Sequence, residues 1–80
     1  MVVMKKVSLV HLKPDHKGRV SEILGGAGLQ NRLMSMSLYV GKEITKLSYI
    51  GLRGPVVIRV GRSVLALGHG MAAKIIVETE

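Results

Sequence analysis

The 80-residue sequence has no cysteine, no tryptophan and no phenylalanine. Because cysteine is absent, the chain can form neither disulfides nor thiolate metal sites, and its fold must depend on a hydrophobic core. Its two tyrosines are too few for the aromatic platforms that stack on bases or bind proline-rich peptides. Acidic residues are scarce as well, five against twelve lysines and arginines, and they are scattered along the chain.

Long apolar runs are also missing. The longest uninterrupted runs are a few residues, whereas a helix needs about 20 apolar residues to cross a bilayer. The N-terminal lysines follow apolar residues instead of preceding them, which is not the order of a signal peptide. We therefore expect a single domain over residues 1–80 that does not span the membrane and is cytoplasmic, with the inner face of the membrane as a location that its charge would suit.

The residues that carry catalysis or bind metals are not arranged for either purpose. The histidines, His11, His16 and His69, lack metal-ligand spacing to one another or to clustered carboxylates. The five carboxylates form no pair at catalytic spacing, and no serine has a predictable base and orienting acid. We predict no catalytic residue, no metal site and no cofactor, and hence a chain that is not an enzyme.

The net charge of +7 is spread along the sequence in runs no longer than two. A solvated basic surface accounts for such a distribution. An acidic protein, an anionic membrane face and a nucleic acid are the partners that the charge would also suit.

Short apolar segments separated by glycine and turn residues fill the second half of the chain. Val56, Ile58 and Val60 alternate with outward positions, as in a half-buried strand. Several such segments and one small helix predict a mostly β fold: a small closed SH3-like barrel with one short helix and a second helical turn. The predicted core residues share period-two or helical spacing, and they are Val20, Ile23, Leu33, Ile44, Val56, Ile58, Leu65, Leu67, Ile75 and Val77.

The short helix is indicated by Leu29, Leu33 and Met36, which fall on one helical face over about three turns. Such a helix must dock to be stable, and we expect it to cover one mouth of the barrel. Leu24, at the end of the strand before it, is expected to be buried. The glycine-rich residues 25–28 lack the Lys-Ser/Thr of a phosphate loop, and we interpret them as a site of close packing.

A partner surface is predicted around this helix and a later hairpin loop, where apolar and basic groups lie on elements that the core does not fully use. Its predicted residues are Asn31, Arg32, Met34, Tyr49, Leu52 and Arg53. Arginine and tyrosine are enriched in binding hot spots. The alternative is that Tyr49 and Leu52 simply cover the end of the barrel.

An ordered set of short motifs carries a family resemblance. The set consists of Gly18-Arg-Val-Ser-Glu-Ile23, Gly25-Gly-Ala-Gly-Leu29, Arg32-Leu33 with Met36, Val40-Gly41-Lys-Glu-Ile44, Gly54-Pro-Val-Val-Ile-Arg-Val-Gly61, Leu65-Ala-Leu67, and Ala72 with Ile75 and Val77. Over about residues 7–78 it resembles the FeoA family of small cytosolic SH3-like proteins of bacterial ferrous iron transport. The chain departs from the family at Ser37, where the family usually has glycine.

The resemblance implies a non-catalytic accessory of ferrous iron uptake. Its implied partner is the cytosolic domain of a GTPase-containing ferrous iron permease (FeoB-like). The sequence leaves open whether the chain also forms a homo-oligomer. The alternative function is a free-standing basic β-barrel that binds nucleic acid. Scattered charge and few aromatic residues favour the first function over the second.

Overall fold

The computed structural model describes residues 3–49 and 54–80, with the side chains of Ser48 and Tyr49 left out of the description. In chain order its elements are β1 (Lys5–Ser8), β2 (Lys17–Ile23), α1 (Ala27–Met34), β3 (Glu43–Tyr49), β4 (Val56–Val60), β5 (Ser63–Leu67), α2 (His69–Ala72) and β6 (Ile75–Thr79). The expected mostly β fold, with one short helix and a second helical turn, is confirmed.

The strands form one antiparallel sheet in the order β1-β6-β2-β3-β4-β5. The C-terminal strand β6 lies between β1 and β2, so the two ends of the chain are joined within the sheet. Among the residues that the structure describes, the sheet surrounds one hydrophobic cluster. In the described residues, however, hydrogen bonds do not complete a circle, because β1 and β5 lie at the two ends of the strand order.

The predicted core is buried, with one exception: Leu65 on the end strand β5 is half-buried. Leu24 was expected to be buried and is 44% exposed. A bulge between Val20 and Glu22 shifts the register of β2, so that Ile23 takes the inward position and the next residue leaves the strand. Pattern reasoning missed core residues outside regular alternation, chiefly Leu9, Leu12 and Ala72.

Gly18 has a packing role in the sheet. It lies in β2 and is buried, and a Cβ at this position would lie 2.9 Å from Val77 Cγ2. Glycine therefore lets β2 pack closely against β6. The positive φ in the preceding turn belongs to Asp15, at 68°.

Helix α1 ends in a turn that places Ser37 in the left-handed region, with φ of 65°. The Leu38 N–H donates to the Leu33 carbonyl at 3.0 Å, and the Ser37 N–H donates to the Met34 carbonyl at 2.9 Å. These two bonds define a Schellman motif, which normally has glycine at the left-handed position. Leu33 and Leu38 are both fully buried, so the turn anchors the helix to the core.

Strand β3 contains a buried lysine. Lys46 is 1% exposed, and its Nζ donates to the Val10 carbonyl at 2.9 Å. Its backbone also accepts from the Asp15 N–H at 2.7 Å and donates to the His16 carbonyl at 3.0 Å. Lys46 thus joins the loop after β1 to the middle of the sheet. Burial lowers the pKa of its ammonium below the ordinary lysine value of 10.5.

Candidate partner-binding surface

Helix α1 presents three of the predicted partner-binding residues to solvent. Asn31, Arg32 and Met34 are exposed, and Met34 is 57% exposed although it is apolar. Between them Leu33 is fully buried, while Leu29 and Met36 pack against the core. The helical stripe predicted from sequence therefore faces inward, and α1 is held with its polar and methionine-bearing side outward.

The chain leaving α1 extends this exposed surface with two residues that sequence reasoning missed. Tyr39 and Val40 are exposed apolar side chains. The Lys42 Nζ lies 6.0 Å from the centroid of the Tyr39 ring, at the outer limit of a cation–π contact. The sequence carries one sign of their exposure: they are a pair of apolar residues just before Gly41 that fit neither a period-two nor a helical pattern. The name "helix surface" is used below for Asn31, Arg32, Met34, Tyr39 and Val40.

The hairpin part of the predicted surface lies outside the described residues. Leu52, Arg53 and the Tyr49 side chain belong to this part, and only the backbone of Tyr49 is placed, opposite Val56. The chain returns from α1 to the Glu43 end of β3, and residues 50–55 lie between the Tyr49 end of β3 and the start of β4. Whether the helix and the hairpin form one surface stays a prediction.

A second exposed feature is a cationic row across the outer face of the sheet. The strand register places Thr45 beside both Lys17 and Arg59. These three residues line a shallow depression of about 400 Å³, together with Lys42, Glu43 and Gly61. Because Lys17 and Arg59 are far apart in sequence, only the strand register could bring them together. Glu43 partly offsets the positive charge, so the row suits an anionic surface better than a single tightly held anion.

The described residues contain no group of three or more histidine, aspartate or glutamate side chains that could hold a metal ion. The His11 Nδ1 lies 3.1 Å from the Ser8 Oγ within one turn. Neither described helix, one of eight residues and one of four, has the length and apolar character needed to cross a membrane.

Known proteins are similar to this chain in both sequence and fold. A family model described as the FeoA domain matches residues 7–79. The "Putative Fe(2+) transport protein A" of Methanocaldococcus jannaschii is 37% identical over 70 residues, covering 88% of this chain and 83% of that protein. A crystal structure of "Iron Uptake Regulatory Protein (FeoA)" superposes with a TM-score of 0.81 at 37% identity, covering 91% of this chain and 95% of the other.

A manganese-dependent transcriptional repressor superposes with a TM-score of 0.84 at 15% identity, covering 100% of this chain and 45% of the repressor chain. That likeness shows the fold alone. The six-stranded sheet with its two short helices is a small SH3-like domain. The match over residues 7–79 then identifies its family: the chain belongs to the FeoA family.

Proposed function

We propose that this protein is a non-catalytic cytoplasmic accessory of ferrous iron uptake and that it docks on the cytosolic domain of a GTPase-containing ferrous iron permease. The FeoA match across residues 7–79 carries the proposal, because it covers almost the whole chain. The relative from Methanocaldococcus jannaschii is named for Fe(2+) transport. The partner domain is the finer part of the proposal: the family resemblance implies its identity, and the helix surface is where we place the contact.

The helix surface has the composition of a docking site. Met34 exposes a flexible apolar side chain, and methionine adapts readily to irregular partner surfaces. Arg32 and Tyr39 lie on the same stretch of chain and belong to residue types enriched in hot spots. Because buried Leu33 and Leu38 anchor α1 at its end, these side chains are presented by a fixed backbone, which lowers the entropy lost on binding.

The experiment measures binding of the purified protein to the purified cytosolic domain of the permease by calorimetry. Met34→Asp introduces a charge on the helix surface, and Arg53→Glu reverses a charge on the predicted hairpin part. We expect each change to weaken binding by about tenfold or more, since hot-spot residues are worth about 1–2 kcal/mol or more. Met4→Asp is the matched control, because Met4, just before β1, is also a methionine and is 50% exposed, almost as much as Met34.

The outcomes separate the docking itself from the surface proposed to carry it. If the unaltered protein does not bind the domain, the docking proposal is wrong. If it binds and both variants retain its affinity, the partner surface lies elsewhere on the molecule. Circular dichroism and thermal melts of each variant show whether a loss of binding reflects a loss of folding.

The cationic row keeps nucleic acid as the second candidate partner. Lys17 and Arg59 flank Thr45 on the outer face of the sheet. If these charges bound phosphates, the logarithm of the binding constant would fall steeply with the logarithm of salt concentration, and Lys17→Gln with Arg59→Gln would reduce that slope by about two. Binding to DNA or RNA that is weak and insensitive to these changes would remove this candidate.

A further inference from the structure

The two end strands of the sheet differ in how their edges are protected. Strand β1 carries two exposed lysines, Lys5 and Lys6. Strand β5, Ser63–Leu67, contains neither a charged residue nor proline. Proteins commonly place lysine or proline on edge strands to prevent another strand from pairing there. By that criterion, β1 is protected and β5 is not.

The backbone of β5 has groups available for a further strand. A two-residue turn joins Val60 to Ser63, with Gly61 at a φ of 60°, so these flanking residues form a hydrogen-bonded pair. In an antiparallel ladder, bonded and non-bonded pairs alternate. The N–H and C=O groups of Val64 and Ala66 therefore point away from β4. No other strand of the described residues pairs with β5.

We propose that β5 pairs with β5 of a second copy of this chain, antiparallel and centred on Leu65. Val64 and Ala66 lie one residue to either side of this centre. Around a two-fold axis, Val64 of one copy therefore faces Ala66 of the other, and the outward groups meet in four backbone hydrogen bonds. The strand is its own complement, and the sheet continues from one copy into the next.

Charge and shape on β5 suit a second copy. In this register Arg62 faces Gly68 of the second copy, so no like charges oppose one another across the pair. The valine side chain lies beside an alanine on the exposed face, which leaves room for both. An equivalent pairing of β1 would bring Lys5 and Lys6 of both copies into one small interface, where like charges repel.

The interface is small, so the association is weak, and it responds to salt in a defined direction. Each copy carries a net charge of +7, and repulsion between copies falls as salt screens it. We expect a dimer that forms at high protein concentration and strengthens as salt rises. An interaction driven by cationic side chains and an acidic partner would instead weaken as salt rises.

The first test is sedimentation of the purified full chain at rising concentration, up to about a millimolar, which covers weak interfaces. The double variant Val64→Lys with Ala66→Lys places lysines opposite one another in each pair. Val64→Pro removes an outward N–H from each copy and leaves the bonds to β4 intact. Loss of two of the four hydrogen bonds should raise the dissociation constant about 10- to 100-fold. Met4→Lys is the control for added charge at a similarly exposed apolar residue.

A second test addresses the register directly, since the chain has no native cysteine. A residue at the two-fold centre faces itself in a non-bonded pair, with Cα atoms about 4.5 Å apart. Leu65→Cys should therefore form a disulfide-linked dimer on mild oxidation, and Val64→Cys should do so far less readily. Circular dichroism checks that each variant is folded.

Three results would overturn the proposal. A protein that stays monomeric up to about a millimolar at high salt has no such pairing. A dimer whose dissociation constant is unchanged by both β5 variants is formed elsewhere. Equal cross-linking of the two cysteine variants would contradict the register. All these measurements use the protein alone, so they stand apart from the test of permease binding.

Discussion

Strands β4 and β3 are neighbours in one hairpin, yet they are held in the sheet in different ways. In β4 the inward residues Val56, Ile58 and Val60 are all apolar and all buried. In β3 the inward residue Ile44 is followed by Lys46, and a bulge between Lys46 and Ser48 then shifts the register. One strand is specified by its own alternation, whereas the other is specified by contacts with residues remote in sequence.

The difference shows what a buried lysine requires. Its aliphatic stem can lie in the core, but its ammonium group needs an acceptor, because burying an unpaired charge is very costly. The Val10 carbonyl supplies an acceptor, and the turn at Asp15 and His16 closes over the Lys46 backbone. The stability of β3 therefore depends on the loop packed against it, whereas the inward face of β4 depends on apolar packing.

The largest effect is expected in β4. Ile58→Ala removes a side chain that is fully buried and leaves a cavity, so we expect a loss of about 2–5 kcal/mol in the free energy of unfolding. For a domain of this size that is a large share of the total stability. Urea denaturation measures the loss. Val57→Ala, at the half-buried neighbour on the other face, is the control, and an equal loss there would contradict the assignment of faces.

In β3 the corresponding change is Lys46→Ala. It removes the packed stem and leaves the Val10 carbonyl without this donor, so we expect a loss of about 2–3 kcal/mol. Lys46→Met restores most of the stem without the charge, and it should lower the free energy of unfolding by only about 1 kcal/mol. Urea denaturation of both variants separates packing from charge. Equal stability of the alanine and methionine variants would show that the stem contributes nothing.

The turn between α1 and β3 offers a smaller effect on stability. Ser37 has a left-handed backbone, which costs a non-glycine residue about 1–2 kcal/mol. Ser37→Gly should raise the free energy of unfolding by about 1 kcal/mol, since glycine removes that strain but is more flexible when unfolded. Thermal melts measure this gain. Ser37→Ala keeps a Cβ and should give no gain, so stabilisation of both variants would point to the hydroxyl instead of the backbone.

The finest distinction is a pH dependence that the buried lysine gives to β3. Burial lowers the pKa of Lys46 in the folded protein below 10.5. At a pH between this lowered pKa and 10.5, the unfolded chain therefore binds more protons than the folded protein does. The contribution of Lys46 to stability is thus smallest below the lowered pKa and rises with pH towards 10.5. Measured against Lys46→Met over this range, the unaltered protein should gain stability. A constant difference would show that the ammonium is as well solvated when folded as when unfolded.

For the candidate site, sequence reasoning was sufficient where a helical period decided which side faces the core. Placing Leu29, Leu33 and Met36 inward left Asn31, Arg32 and Met34 exposed, as the structure has them. It was not sufficient for Tyr39 and Val40, because an irregular segment has no period from which to infer exposure. The hairpin residues Tyr49, Leu52 and Arg53 stay a prediction.

The amino-acid sequence by itself determined the class of fold, the family and most of the core. Period-two and helical spacing set those features, because exposing an apolar side chain to water is unfavourable wherever its strand lies. The tertiary structure alone decided the neighbours: β6 between β1 and β2, a cationic row from Lys17 to Arg59, and a lysine buried against the Val10 carbonyl. These features depend on strand order and register, which bring together residues that no local pattern connects.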